Sequence, residues 1–143
     1  MAFGRRKYGN KVFENAEGKF DGKNEWLRWC FLKDAQARGL IRNLRRQVEF
    51  ELIPRQEHEE IRRLKTKTKT VTVFDEHPVR YLADFVYEKR TTIEDLSGES
   101  EEWYTVVEDF KGMRLPDYII KRKLMLWLKG IKIREVVKPA EEI

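Results

Sequence analysis

The sequence predicts an α/β domain whose mixed β-sheet is flanked by helices, and three patterns carry that reading. From Lys23 to about Arg38 the residues Trp26, Leu27, Trp29, Cys30, Phe31 and Ala35 recur at helical spacing, with Asp21 in position to cap the helix and Gly39 to stop it. Several segments have the period or the β-branched content of strands. Val48, Phe50 and Leu52 alternate with Glu49 and Glu51 until Pro54, Thr70–Phe74 and Val79–Tyr87 follow, and Trp103–Lys111 returns. Finally, Pro116 and Asp117 suit the first turn of a second helix that runs to about Lys129 and closes at Gly130, and Ile131–Val137 reads as a last short strand. The polar stretch from Glu88 to Glu102, with Ser97-Gly98 near its middle, reads as the connection of a hairpin. Arg55–Leu64 is charged and takes no clear assignment.

A chain of 143 residues is the size of one domain and needs no disulfide staples to bury a core. Residues 1–143 are therefore read as a single unit carrying a basic arm over about residues 1–12. Lys and Arg number 30 against 25 Asp and Glu, for a formal net charge of +5 and a pI near 9.3. The two signs are segregated. Met1–Lys11 holds Arg5, Arg6, Lys7 and Lys11 without an acid, and Ile61–Phe74 holds Arg62, Arg63, Lys65, Lys67 and Lys69 without one. Acids gather instead between Glu88 and Glu102. Such separation favours a directed field and a polyanionic partner. Cys30 is the only cysteine, which excludes a disulfide framework and a thiolate zinc site. Neither a signal-peptide core nor a membrane-length apolar run is visible, so the expected setting is the cytoplasm.

Alternation along Trp103–Lys111 puts Asp109 and Lys111 on one face of the sheet, with Glu108 and Phe110 on the other. The same rule in the preceding strand groups Asp84 with Leu82 and Val86, opposite Tyr81, Ala83, Phe85 and Tyr87. A hairpin would bring Asp84 beside Asp109. Two carboxylates and an ammonium on an apolar sheet are costly unless something compensates them. A divalent cation would do so, and oxygen ligands suit magnesium, with manganese as a substitute. Bound there, the metal would withdraw charge from a phosphodiester and acidify a water, while Lys111 would orient that water or stabilise developing charge. The same residues also allow a plain cross-strand ion pair between Asp84 and Lys111.

Five ordered pieces carry a wider likeness: Lys7-Tyr8-Gly9-Asn10-Lys11, Phe20-Asp21-Gly22-Lys23-Asn24-Glu25, Phe50-Glu51-Leu52-Ile53-Pro54, Tyr81-Leu82-Ala83-Asp84-Phe85-Val86-Tyr87 and Val107-Glu108-Asp109-Phe110-Lys111-Gly112. With them the chain resembles a family of small phage-associated proteins in the PD-(D/E)XK nuclease superfamily. The resemblance implies a restriction-endonuclease-like core, with Asp84 as the first acid and Asp109-x-Lys111 as the second motif. It also implies a helix glutamate, Glu25, over the metal centre with Asp84 and Asp109. Ala83 replaces the proline of the superfamily name, and the long gap between Asp84 and Asp109 requires the acidic segment to loop out as an insertion. Glu108 is a rival carboxylate that alternation places on the wrong face. The arrangement is similar to that of Holliday junction resolvases, which act as dimers, and implies a homodimer that cuts branched DNA in the cytoplasm of the host cell if the protein is phage-encoded. Arg5, Arg6, Lys7, Lys11, Arg62, Arg63, Lys65, Lys67, Lys69 and Lys121 are the expected DNA contacts. A nicking or restriction-like nuclease and a non-catalytic DNA-binding module of the same fold stand as alternatives.

Other residues read more plainly. Trp26, Trp29 and Trp127 fall at helical spacing and suit a core, and Cys30 suits packing. His58 and His77 have no spacing that suggests a metal or catalytic pair. Tyr118 and Lys121, one turn apart on the second helix, are the nearest candidates for further contacts to the site.

Overall fold

The computed structural model describes residues 11–95 and 97–143. Its frame is a four-stranded mixed sheet. Strands β3 (Ile41–Ile53), β6 (Val79–Asp95), β7 (Gly98–Phe110) and β8 (Arg134–Val136) lie in the order β3-β6-β7-β8. The first two pairings are antiparallel and β7 runs parallel to β8. A parallel neighbour requires a crossover, and helix α2 (Pro116–Lys129) supplies it. Pro116 sits in its first turn, and Gly130 ends it in the left-handed region at φ 65°, where a side chain would be strained.

Two clusters of apolar side chains hold the helices to opposite faces of this sheet. Tyr118 and Met125 of α2 pack with Tyr81, Ala83, Val86 and Val107. Leu32 and Ala35 of α1 (Lys23–Ala37) pack with Ile41, Phe85 and Tyr87. Because Val86 and Phe85 are neighbours in one strand, the clusters occupy different faces. The expected mixed sheet with flanking helices is thus present.

Several sequence expectations are corrected. The segment from Glu88 to Glu102 does not loop out. β6 and β7 stay paired to Asp95 and Gly98, so it forms the outer half of a long two-stranded hairpin. Arg55–Leu64 contains a strand, β4 (Gln56–Arg63), which pairs with β5 (Thr68–Glu76) as a separate ribbon inserted between β3 and β6. A short hairpin, β1 (Phe13–Asn15) with β2 (Gly18–Phe20), precedes α1. Trp127 is 85% exposed and is no part of the core, because the face of α2 that meets the sheet carries Tyr118 and Met125. Gly22, not Asp21, is the cap residue of α1, and no side chain caps it among the described residues.

The correction that matters most for the site lies in β6. Strict alternation would put Tyr81, Ala83, Phe85 and Tyr87 on one face. Instead Tyr81 and Ala83 pack with Val86 on the α2 side, while Phe85 and Tyr87 pack on the α1 side. The side-chain sense changes at Asp84. Opposite it in β3 stands Gln47, between the pairs Arg46–Phe85 and Val48–Ala83, and Gln47 has a positive φ of 54°. A backbone irregularity of this kind re-aims a side chain, as bulges near functional sites do.

Candidate active site

Asp84 lies where regular pairing of β6 ends its run against β7, and its Oδ2 accepts a hydrogen bond from the Phe110 backbone N–H at 2.8 Å. Asp109, one residue before, is 1% exposed. Its Oδ2 accepts a 2.5 Å hydrogen bond from the Tyr81 hydroxyl. Lys111 Nζ stands 2.8 Å from Asp109 Oδ1. That contact is Coulombic and not a directed hydrogen bond, for Oδ1 has no hydrogen-bond partner among the described residues. Lys111 also rests its ammonium 4.2 Å from the ring centre of Tyr118, which lends it a cation–π partner. The ion pair is therefore made between the end of β7 and the residue that follows it, and the alternative pairing of Lys111 with Asp84 is not the one formed.

Glu25 approaches from α1. It is 5% exposed, so the simple picture of a solvated helix-start acid does not hold. Its Oε2 accepts from the Asp21 backbone N–H at 3.1 Å, which ties the chain before the helix to its first turn. Asp21, Glu25, Asp84, Phe110, Lys111, Gly112, Met113 and Leu115 line a cleft of about 480 Å³. Asp109 sits behind that wall, touching it through Lys111.

The electrostatics follow from this crowding. Burial raises the Asp84 carboxyl to about 9, and the charge of Asp109, that of Glu25 and a side-chain hydrogen bond with Asp109 push the same way. Burial likewise raises Glu25 to about 7, helped by Asp21 and opposed by Arg46. Tyr81 is held well above the usual phenol range by burial and by Asp109, so it remains a neutral donor. Three acids thus face one ammonium. Among the described residues no group of three or more His, Cys, Asp or Glu side chains is placed to hold a metal ion. Glu25, Asp84 and Asp109, the acids expected to hold the metal, are nevertheless near enough for Asp84 to feel the charge of both others, and Glu25 Oε2 is bonded to the Asp21 N–H.

The other sequence candidates are scattered. Arg62, Arg63, Lys65, Lys67 and Lys69 are exposed on the β4–β5 ribbon, away from the cleft wall, and Lys11 is exposed before β1. Arg5, Arg6 and Lys7 lie outside the described residues. Lys121 is half-buried on α2 and makes no ion pair among the described residues, whereas its neighbour Arg122 bonds Glu135 at 2.7 Å. Glu108 is not a rival ligand. It is fully buried on the α1 side, where Arg28 grips both its oxygens at 2.5 and 3.0 Å and the Tyr87 hydroxyl donates at 2.7 Å.

Residues 5–139 match the family described as Protein of unknown function (DUF1064). The chain belongs to that family. No curated protein and no solved structure matches this DUF1064 chain. No helix among its described residues is long and apolar enough to cross a membrane.

Sequence reasoning missed two residues in this DUF1064 protein. Tyr81 was invisible because strict alternation turns it away from Asp109, and only the irregularity at Asp84 brings the two together. Arg28 did carry a signal: Glu25, Arg28, Leu32 and Ala35 fall three, four and three residues apart, and they are the buried stripe of α1.

The raised acids have a thermodynamic consequence that can be measured without any activity. A carboxyl whose pKa is higher folded than unfolded binds more protons in the folded state between those two values. Its contribution is fully present below the unfolded value near 4 and is lost as pH rises towards about 7 for Glu25 and about 9 for Asp84. In the absence of divalent ions the unfolding midpoint in urea is expected to fall between pH 5 and pH 9, and to fall less in Asp84→Asn. A midpoint that climbs over that range would contradict the crowding of acids.

Proposed function

We propose that the chain is a metal-dependent DNA endonuclease of the PD-(D/E)XK type, with a restriction-endonuclease-like core and with Asp84, Asp109 and Lys111 at its centre. The observation that carries this reading is the burial of Asp84 beside Asp109 at the back of an open cleft, with the Lys111 ammonium 2.8 Å from an otherwise unpartnered Asp109 oxygen. As mere structure such a group is unfavourable, because the mutual repulsion of buried acids is not repaid. As a ligand set it suits magnesium, which takes one or two carboxylates and completes its octahedron with water and phosphate oxygens. Two protein carboxylates are enough, so Glu25 need not be a direct ligand.

When bound between Asp84 and Asp109, magnesium or manganese would supply Lewis-acid stabilisation of the phosphoryl group and a water acidified for attack. The chain's own groups do the positioning. Tyr81 fixes one Asp109 oxygen and leaves the other towards Lys111. The Phe110 N–H fixes Asp84. Lys111, on the cleft wall, neutralises charge developing on a phosphate or orients the attacking water. Glu25, raised to about 7, exchanges a proton near neutral pH at the rim of the same cleft.

The segregated basic residues and the absence of a base-reading motif support a structure-specific substrate. The reading favoured is a homodimer that resolves four-way junctions or other branched DNA, in the cytoplasm. Two symmetric incisions need two centres related by a twofold axis. Incubation with magnesium and linear, nicked, flapped and four-way DNAs is expected to give paired cuts in the junction. Chelation should abolish them, and calcium should permit binding with little cleavage. Cleavage that survives chelation defeats the metal centre. Equal cutting of duplex and junction by a monomer defeats the resolvase reading alone.

A further inference from the structure

The β4–β5 ribbon has no role in the cleft, yet its sequence and setting are unusual for a structural hairpin. It forms a two-stranded sheet of its own, and every residue of β4 is exposed. An isolated two-stranded ribbon is marginal in water, so its retention calls for a partner. Its charge is graded. Glu57, Glu59, Glu60, Asp75 and Glu76 lie towards the root, where His58 bridges the strands to Asp75 at 2.8 Å. The outer end carries Arg62, Arg63, Lys65, Lys67 and Lys69 and no acid.

Two features of that end are unfavourable in the free protein. Arg62 and Lys69 are direct cross-strand partners, a like-charge pair that destabilises a ladder and that Glu60, 3.8 Å from Arg62 on the exposed surface, offsets only in part. Ile61 is 75% exposed and Leu64 50% exposed among these cations. A polyanion with an apolar floor resolves both at once. B-form DNA offers it, because the major groove is about 12 Å wide, admits a two-stranded ribbon and presents thymine methyl groups between walls of phosphate. The eight residues of β4 span about 27 Å, roughly three quarters of a duplex turn. The ribbon is rooted at the end of the sheet where Ile53 pairs with Val79, and Asp84 lies five residues further along β6.

We infer that the β4–β5 ribbon is a groove-inserting arm that seats one duplex arm of the substrate, with its five terminal cations on phosphates. This rests on the DNA-directed reading above and adds the element, the groove and the helical form it accepts. A-form RNA has a major groove too deep and narrow to admit side chains, so the ribbon distinguishes DNA duplex from RNA duplex.

The test is binding to fluorescent 20-base-pair duplexes at several salt concentrations, in chelator, so that it needs no cleavage. Two variants are compared with the full chain: one with Arg62, Arg63, Lys65, Lys67 and Lys69 all changed to Gln, and one with residues 56–76 replaced by a two-residue turn. The full chain should bind DNA duplex at least about tenfold more tightly than RNA duplex. The variant with all five changed to Gln should lose up to about 4.5 units from the slope of log affinity against log salt, at ~0.9 unit per phosphate. Far-ultraviolet circular dichroism and the urea midpoint confirm that the core survives, and the Gln variant keeps the test valid if the excision variant does not fold. Equal affinity for DNA and RNA, or an unchanged salt slope in the Gln variant, overturns the ribbon assignment while leaving DNA binding intact. A full chain that binds no duplex overturns the DNA-directed reading itself.

Discussion

Asp109→Asn and Lys111→Ala are each expected to lower magnesium-dependent cleavage by about a thousandfold or more, with the fold retained. The reasoning is local. Asp109 Oδ1 is a buried oxygen with no hydrogen-bond partner among the described residues, and Lys111 is the cation placed 2.8 Å from it. Removing a preorganised charge from a water-poor site costs several kcal/mol of transition-state stabilisation, about 100- to 1,000-fold in rate for a single donor. Loss of a metal-holding carboxylate is expected to cost more. Asp84→Asn provides the sharper contrast. Its amide oxygen can still accept from the Phe110 N–H, but the variant no longer places a charge against Asp109 and Glu25. Activity should vanish while the metal-free protein gains about 1 kcal/mol or more at pH 8, a rise of roughly 3–5 °C in melting temperature. The gain should shrink as pH falls and disappear below about pH 4, where Asp84 is protonated in the folded and the unfolded chain alike. Full activity in Lys111→Ala would sink the proposed centre. A destabilised Asp84→Asn would mark the carboxylate as structural.

Arg28→Met is expected to have the largest effect on stability. Arg28 and Glu108 are fully buried side chains locked at 2.5 Å, and Arg28 also donates to the backbone carbonyls of Pro139 and Glu141. Deleting one partner leaves a carboxylate without its counter-charge in the interior, which costs about 3–5 kcal/mol. The double variant Arg28→Met, Glu108→Leu should recover much of that loss, because an apolar pair of similar volume avoids the desolvation of both ions. Equilibrium urea unfolding of the four proteins in the cycle measures the coupling. Strict additivity would show that the pair is energetically idle.

The fold was legible where periodicity and punctuation agreed. α2 is bracketed by Pro116 and Gly130, and the strands Val79–Tyr87 and Trp103–Lys111 have strong apolar content, so the helix, the start of β6 and the end of β7 fell close to the observed boundaries, while both strands run on beyond Tyr87 and before Trp103. Of the β4–β5 ribbon, Thr70–Phe74 was legible from its β-branched run, but its partner β4 was not, for a physical reason: every residue of β4 is exposed, so no apolar alternation marks it. The acidic stretch after Glu88 misled in the same way, since polar composition reads as a loop even when a ladder continues through it. At the site, Asp109 and Lys111 shared a face as alternation requires. Asp84 likewise lies beside Asp109, whereas Tyr81 could not be placed by the same rule, because the change of sense opposite Gln47 depends on a backbone angle that composition does not encode. Charges inside α1 were hidden by the habit of counting only apolar residues towards a core, when Glu25 and Arg28 occupy its buried stripe.

The placement of the two long hairpins has a kinetic meaning. The ribbon β4–β5 leaves the sheet beyond Ile53 and Val79, and the paired extension of β6 and β7 leaves it beyond Ile41 and Lys89, at the other end. One carries clustered cations and the other the exposed acids Glu99, Glu101 and Glu102. A molecule with opposite charge at its two ends has a large dipole moment. In the field of a polyelectrolyte it rotates during diffusion and arrives cationic end first, so few encounters are wasted on the wrong orientation. Added salt shortens the reach of that torque to about 8 Å at physiological ionic strength, and association should then slow far more than dissociation quickens.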